Sequence, residues 1–216
     1  KGILFTSLFA GLSSSTALSL HFARQSAKNP DFSPQFAAGI LIACGTMFPR
    51  ILVYCLVINK ALLPSLIWPV AMMTALLYVP ALIIWRRNAR QLQVSQPTMN
   101  QNPLDLSSAL VFGFLLTAIL LLGEFLKNAF GDVGIYALAA TSGVADVDAI
   151  TLSLTRMSND GLGMDAAVLG IIIAAAVNNL VKSGIAWSIG NRQTGLLVAG
   201  PMVLSLAAGL LVAWLQ

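Results

Sequence analysis

The sequence predicts an all-α, polytopic transmembrane bundle of about seven segments, and three observations carry that prediction. Hydrophobic residues make up 57% of the chain and charged residues 9%, with a mean hydropathy of +0.84; soluble domains carry about 25% charge. Apolar runs of about 20 residues recur, each long enough to cross hydrocarbon as a helix, and none alternates as a barrel strand would. Basic residues gather at the ends of these runs, the distribution that sets membrane topology and no sign of nucleic-acid binding. The first partner is therefore the lipid bilayer.

Segment one covers residues 2–23 and contains Gly11-Leu12-Ser13-Ser14-Ser15-Thr16-Ala17. Four consecutive hydroxyl side chains compete with the helix for backbone hydrogen bonds. A broken helix is expected around 13–16, against the plainer reading that small residues permit close helix contact. Segment two, 34–58, carries Pro49 beside Arg50, so a kink is expected, with an arginine deep enough to need a partner or to snorkel. Segment three, 62–85, ends in Trp85-Arg86-Arg87, an interfacial signature. Residues 86–105, rich in Gln and Asn, read as an exposed loop able to meet a partner protein.

Segment four, 106–126, ends near Glu124 and Lys127, expected to pair at the interface. Segment five, about 133–154, holds Gly143-Val144-Ala145-Asp146-Val147-Asp148-Ala149. Each Asp at mid-bilayer costs roughly 2.5–3.5 kcal/mol, so the two carboxylates need an ion, a cation partner or a proton to carry. On an intact helix, residues two apart project about 200° from each other. Asp146 and Asp148 can share a ligand only if the helix opens around 145–148. Segment six, 166–189, embeds Asn178, Asn179 and Lys182; segment seven, 196–214, contains Pro201 and no charge. Cys44 and Cys55, eleven positions apart on one predicted helix, lie about 16 Å apart and cannot pair. His21 reads as an interfacial side chain. The chain opens at Lys1 without an initiator Met and is expected to start inside a longer one.

An internal repeat at an offset of 132 positions pairs Gly11 with Gly143, Arg24 with Arg156, Arg50 with Lys182, Asn59 with Asn191 and Pro69 with Pro201 without a gap. The expected organisation is a first membrane unit over 1–85, lacking its leading helix, a polar loop over 86–105 and a second unit over 106–216. Ser14 and Thr16 then stand where Asp146 and Asp148 stand, and Thr46 where Asn178 stands. Repeats of this kind place solute sites at the membrane midplane, where their broken helices meet. If every segment crosses, the units are parallel; if segments one and five re-enter, they are inverted. The positive-inside rule does not choose between the two.

At Gly11–Ala17, Gly143–Ala149 and Ala176-Val177-Asn178-Asn179-Leu180-Val181-Lys182, over nearly all 216 residues, the chain resembles the membrane domain that follows an MgtC/SapB-type domain in bacterial and archaeal proteins. The resemblance implies a multi-pass protein of the bacterial inner membrane, an N-terminal MgtC-type domain or a homo-oligomer as partner, and a magnesium-related role. The acidic motif of the MgtC-type domain is absent from this chain.

The expected function is a secondary transporter or channel-like carrier of a small ion. A cation such as Mg²⁺, another divalent ion or a proton-coupled solute is the expected cargo. Asp146 and Asp148 are the ion or metal ligands, Asn178, Asn179, Ser13, Ser14, Ser15, Thr16 and Thr46 supply further oxygens, and Lys182 and Arg50 are the charge partners. The alternative is a regulatory or scaffolding membrane protein without transport. An aspartyl protease would need carboxylates from two separate elements, so no enzyme activity and no cofactor are expected.

Overall fold

A computed structural model describes residues 2–88 and 106–215, with side chains described at all of these except 2–6, 9, 10, 12, 13, 106–109 and 111. Among the described residues the chain is helical throughout, without strands: α1 (Gly2–Lys28), α2 (Ser33–Gly45), α3 (Met47–Ile58), α4 (Leu63–Arg87), α5 (Leu106–Phe130), α6 (Asp132–Ala145), α7 (Val147–Met157), α8 (Met164–Ile189) and α9 (Arg192–Trp214). Five spans are long and apolar enough to cross a membrane: Pro30–Ile58, Lys60–Arg87, Phe112–Phe130, Met164–Ile189 and Arg192–Trp214. The protein is thus a multi-pass membrane protein. Of the expected segments, one and five differ from the rest, because each is broken in the middle.

The breaks have local causes. Ser14 leaves the helix at φ −155°, ψ 97°, and its hydroxyl accepts from the Ala17 backbone N–H at 3.2 Å. Asp146 is extended at φ −154°, ψ 133°, and its side chain accepts from the Asp148 N–H at 3.1 Å. Each therefore ends one helix and caps the next. The α2–α3 junction is gentler. Thr46 stays helical at φ −67°, ψ −19°, while Pro49 has no N–H for the Gly45 carbonyl four residues back, which interrupts the ladder there.

Both broken segments fold back on themselves. A Cβ placed on Gly39 of α2 would lie 2.6 Å from Phe22 and 3.0 Å from the Ser7 hydroxyl, two residues that a straight α1 would hold about 22 Å apart. At Gly170 of α8 the neighbours are Leu154 of α7 at 2.8 Å and Ile135 of α6 at 3.6 Å, about 28 Å apart along an unbroken helix. Each segment is a helical hairpin whose tip is its break. The bases of the two hairpins sit at opposite ends of the bundle. At one end the Asn191 amide donates to the Ser26 carbonyl at 3.1 Å and also meets Ser33 Oγ, and Gln35 donates to the Asn88 carbonyl at 2.7 Å. At the other, Asn59 donates to Ser158 Oγ at 2.8 Å, Asn159 to the Ile58 carbonyl at 3.2 Å, and Lys127 Nζ lies 3.7 Å from the Cβ position of Gly161.

All thirteen residues of α2 are buried, as is most of α8, so these two helices form the centre. Helices α4, α5 and α9 present Trp68, Leu121, Phe125 and Leu204 outward, the apolar surface expected against lipid. α4 and α9 cross at their middles, where Ser205 Oγ donates to the Met73 carbonyl at 3.1 Å. Two expectations need correction. Helix α4 extends through Arg87, so the loop begins later than expected, and its residues 89–105, with any partner contact there, lie outside the described residues. The Glu124–Lys127 pair does not form; Glu124 instead accepts from Asn128 at 3.4 Å, one turn on.

The hairpin tips are held by close backbone approach. A Cβ on Gly143 would stand 2.5 Å from the Ala174 carbonyl oxygen and 2.9 Å from its Cα, atoms that cannot give way. Gly143→Ala is expected to cost roughly 1–3 kcal/mol by overpacking, read as a lower melting temperature in detergent. Gly113→Ala, whose Cβ would meet nothing within 4 Å, should leave the melting temperature unchanged or raised.

Candidate functional site

The hairpin tips converge on a polar cavity of about 230 Å³. Its wall is built from four elements: Ser14, Ser15 and Thr16 at the α1 tip, Met47 and Arg50 of α3, Ala145 through Asp148 at the α6–α7 tip, and Asn178 and Lys182 of α8. The cavity lies level with the middle of α8, where the Asn178 amide donates to the Gly143 carbonyl at 2.8 Å. That bond occupies a carbonyl of the last turn of α6, which has no helical partner once the helix stops at Ala145.

Charge is unevenly paired here. Arg50 and Asp148 form an ion pair, and Arg50 also reaches the Tyr54 hydroxyl at 3.4 Å. Lys182 is 1% exposed and donates to Ser15 Oγ at 2.7 Å, with Met47 Sδ at 3.9 Å. Among the described residues no carboxylate stands within 4.0 Å of its ammonium. A protonated amine buried here without a counter-ion would cost several kcal/mol, which hydroxyl and thioether contacts alone would compensate poorly. Asp146 caps α7 and faces the cavity without joining the ion pair. The positive N-terminal ends of α7 and of the second half of α1 add to the field at the tips.

Of the residues expected to act together, Ser14, Ser15, Thr16, Arg50, Asp146, Asp148, Asn178 and Lys182 all line this cavity. The helix does open at Asp146, but the two carboxylates part: Asp148 goes to Arg50 and Asp146 stays with the backbone of α7. Thr46 and Asn179 do not line it. Thr46 turns its hydroxyl to the Ala43 carbonyl at 2.7 Å and packs beneath Gly11; Asn179 is fully buried, with neither amide atom bonded. The Ser13 side chain lies outside the described ones. Among the described residues no three His, Cys, Asp or Glu side chains cluster as a metal cage would require. Met47 was not anticipated. Its signal was its place three residues before Arg50, about one helical turn away on the same face.

The Arg50–Asp148 pair is 22% and 17% exposed, so water screens it less than a surface pair. A double-mutant cycle with Arg50→Gln and Asp148→Asn should return a coupling of about 1–3 kcal/mol by denaturant or thermal unfolding. The double variant is expected to be more stable than additivity allows, because neither single variant's leftover charge survives in it. A coupling near zero would mean the contact contributes nothing.

Comparison with known proteins assigns no chemistry. A family model described as "Domain of unknown function (DUF4010)" matches residues 1–190. An uncharacterized protein of Aquifex aeolicus (strain VF5) is 34% identical over 192 residues, covering 88% of this chain and 84% of that one. No solved structure matches it significantly. With the match running through both hairpins and every cavity-lining residue, the chain belongs to the DUF4010 family.

Proposed function

We propose that this protein is a secondary carrier, or channel-like pathway, for a small ion or ion-coupled solute, built from two inverted repeats whose hairpin tips enclose the transport site. The observation that carries the reading is that both helix breaks, Ser14 and Asp146, open onto one polar cavity midway through the bundle. Non-helical backbone at membrane depth is tolerated where it is buried in protein or lines a water-filled cavity, and paired broken helices are how many carriers build a midplane site.

Several features favour the repeat. The break residues stand 132 positions apart, as do the capping Asn59 and Asn191. Rim contacts run crosswise: Asn59 meets Ser158 while Asn191 meets Ser26, each pair being the other shifted by the same offset. Met73 and Ser205, also 132 apart, touch each other, as equivalent residues do only on a two-fold axis. With a hairpin in place of a crossing, the chain between Ser14 and Asp146 passes through three spans, Pro30–Ile58, Lys60–Arg87 and Phe112–Phe130, an odd number that makes the units inverted. Arg24, Lys28, Arg86, Arg87 and Arg192 then share one side against Lys60, Lys127 and Arg156, a bias that favours the first side as the cytoplasmic one, in keeping with the proposed bacterial inner membrane.

Within this reading Asp146 is the cation or proton site, since Asp148 is taken up by Arg50. Mg²⁺ keeps several waters and accepts one or two carboxylates, so a hydrated divalent ion at Asp146 is one form of the cargo. A non-transporting regulatory role, and an association with an N-terminal MgtC-type domain, are the competing proposals; neither the matched family nor the matched protein carries an MgtC or SapB designation.

Two measurements test this. Cysteines at Lys28 and Gln193 should label from one face of the membrane, and cysteines at Asn128 and Gly163 from the other; straight crossings would instead group Lys28 with Gly163. In proteoliposomes with an entrapped pH dye and imposed Na⁺, K⁺ or Mg²⁺ gradients, wild type should move charge or protons. Asp146→Asn should lower that flux at least tenfold while eluting as a folded protein. Absence of flux in wild type under every gradient, imposed both as chloride and as carboxylate salts, would leave the regulatory role.

A further inference from the structure

Resting on the carrier reading, we propose that the site takes a small monocarboxylate anion, bound by Lys182 together with the hydroxyls of Ser14, Ser15 and Thr16, and carried with the cation or proton at Asp146.

The argument begins with the charges on the cavity wall. Arg50 on α3 and Asp148 on α7 cancel as an ion pair. Lys182 on α8 and Asp146 at the second tip remain, and they are not within ion-pair distance of each other. An ammonium has three donors. One reaches Ser15 Oγ at 2.7 Å, and Met47 Sδ, a weak acceptor, sits at 3.9 Å. A strong acceptor bearing negative charge is what this buried group lacks.

The offset of 132 says which acceptor fits. It maps Arg50 onto Lys182 and Asp148 onto Thr16. The first unit's cation faces a carboxylate of the second unit's hairpin; the second unit's cation faces, at the matching place, a hydroxyl tip. One half of the pseudo-symmetric arrangement carries its own carboxylate and the other lacks it. A carboxylate supplied by the solute completes the second half, with hydroxyl donors where the protein's own carboxyl would stand. Donors at the N-terminus of the second half of α1 favour the same sign of charge. A cavity of about 230 Å³ suits an acid of a few carbons rather than a nucleotide or disaccharide.

The same inventory explains coupling. A monocarboxylate alone at Lys182, or a proton or monovalent cation alone at Asp146, changes the net charge of the cavity by one. Both together leave it unchanged. In a setting of low dielectric that difference favours joint loading.

The test uses the purified full chain. Thermal unfolding in detergent is followed with sodium acetate or sodium lactate, against sodium chloride and sodium sulfate at equal Na⁺, and uptake of radiolabelled lactate is measured in proteoliposomes. Carboxylates should raise the melting temperature saturably where chloride and sulfate do not. The half-saturating concentration should rise at least tenfold in Lys182→Gln and several-fold in Ser15→Ala, the latter serving if the former fails to fold. Asp146→Asn should retain the carboxylate shift yet lose uptake. Equal shifts from all four salts, or a carboxylate response unchanged in Lys182→Gln or Ser15→Ala, would overturn the anion seat. Cation flux indifferent to carboxylate overturns the anion seat alone and leaves the carrier; carboxylate binding without any flux supports the seat and removes the carrier.

Discussion

A backbone that stops being helical inside an apolar slab must find other partners for its amide groups, and this requirement organises the molecule. At Ser14 and Asp146 the chain supplies them locally: each side chain accepts an N–H from the turn that follows, and Asn178 reaches the Gly143 carbonyl on the preceding side. These bonds hold only if the tips lie deep in protein. Gly11 and Gly143 make that depth available, the first lying 2.8 Å from the Ala43 Cα by its Cβ position and the second 2.9 Å from the Ala174 Cα. Small residues on both sides of the contact let backbone meet backbone, as interhelical packing in membranes favours. The wholly buried α2 and the mostly buried α8 follow from this, since each supports a hairpin on one side and outer helices on the other.

Charge obeys the same requirement less completely. Arg50, deep in α3, finds Asp148 and the Tyr54 hydroxyl. Lys182 at the matching depth finds a hydroxyl and a thioether. Two basic residues 132 positions apart thus have unlike surroundings, and the difference traces to which residue type the facing tip offers: the Asp148 carboxyl to Arg50, the Ser15 hydroxyl to Lys182. Stability alone would favour removing both charges or pairing both.

Much of this was legible beforehand. Composition fixed the membrane class, the run of Ser and Thr marked one break, and the paired Asp residues marked the other. Less legible was the direction of segments one and five, because a hairpin and a crossing share length and hydropathy. Only contacts distant in sequence, such as Ser7 and Phe22 on either side of Gly39, separate them. Neighbours in sequence also misled. Asn178 and Asn179 differ by about 100° around α8, so Asn178 shares the cavity face with Lys182 one turn later while Asn179 turns into the protein. Thr46, at the place matching Asn178, has too short a side chain to cap its hairpin and bonds back to its own helix. The Glu124–Lys127 spacing suited a pair, yet the adjoining loop drew Lys127 toward Gly161.

The placement of the strong contacts also bears on movement. Side-chain bonds between elements distant in sequence fasten the two rims, where Asn59 ties to the end of α7, Asn159 to the end of α3, and Asn191 to the end of α1 and the start of α2. Between the rims the polar contacts between helices include Arg50 to Asp148, Lys182 to Ser15 and Met47, Asn178 to Gly143, Ser19 to Cys44, Cys55 to Thr155 and Ser205 to Met73. Two of these, Arg50–Asp148 and Lys182–Ser15, are bonds between an α3 or α8 cation and a hairpin tip. In the proposed carrier, a solute or ion entering the cavity would compete for those same cations. Hairpins anchored at their bases and joined at their tips through exchangeable charge contacts can respond to loading without unfolding their bases. The extended residues at each tip are where the required change in φ and ψ costs least.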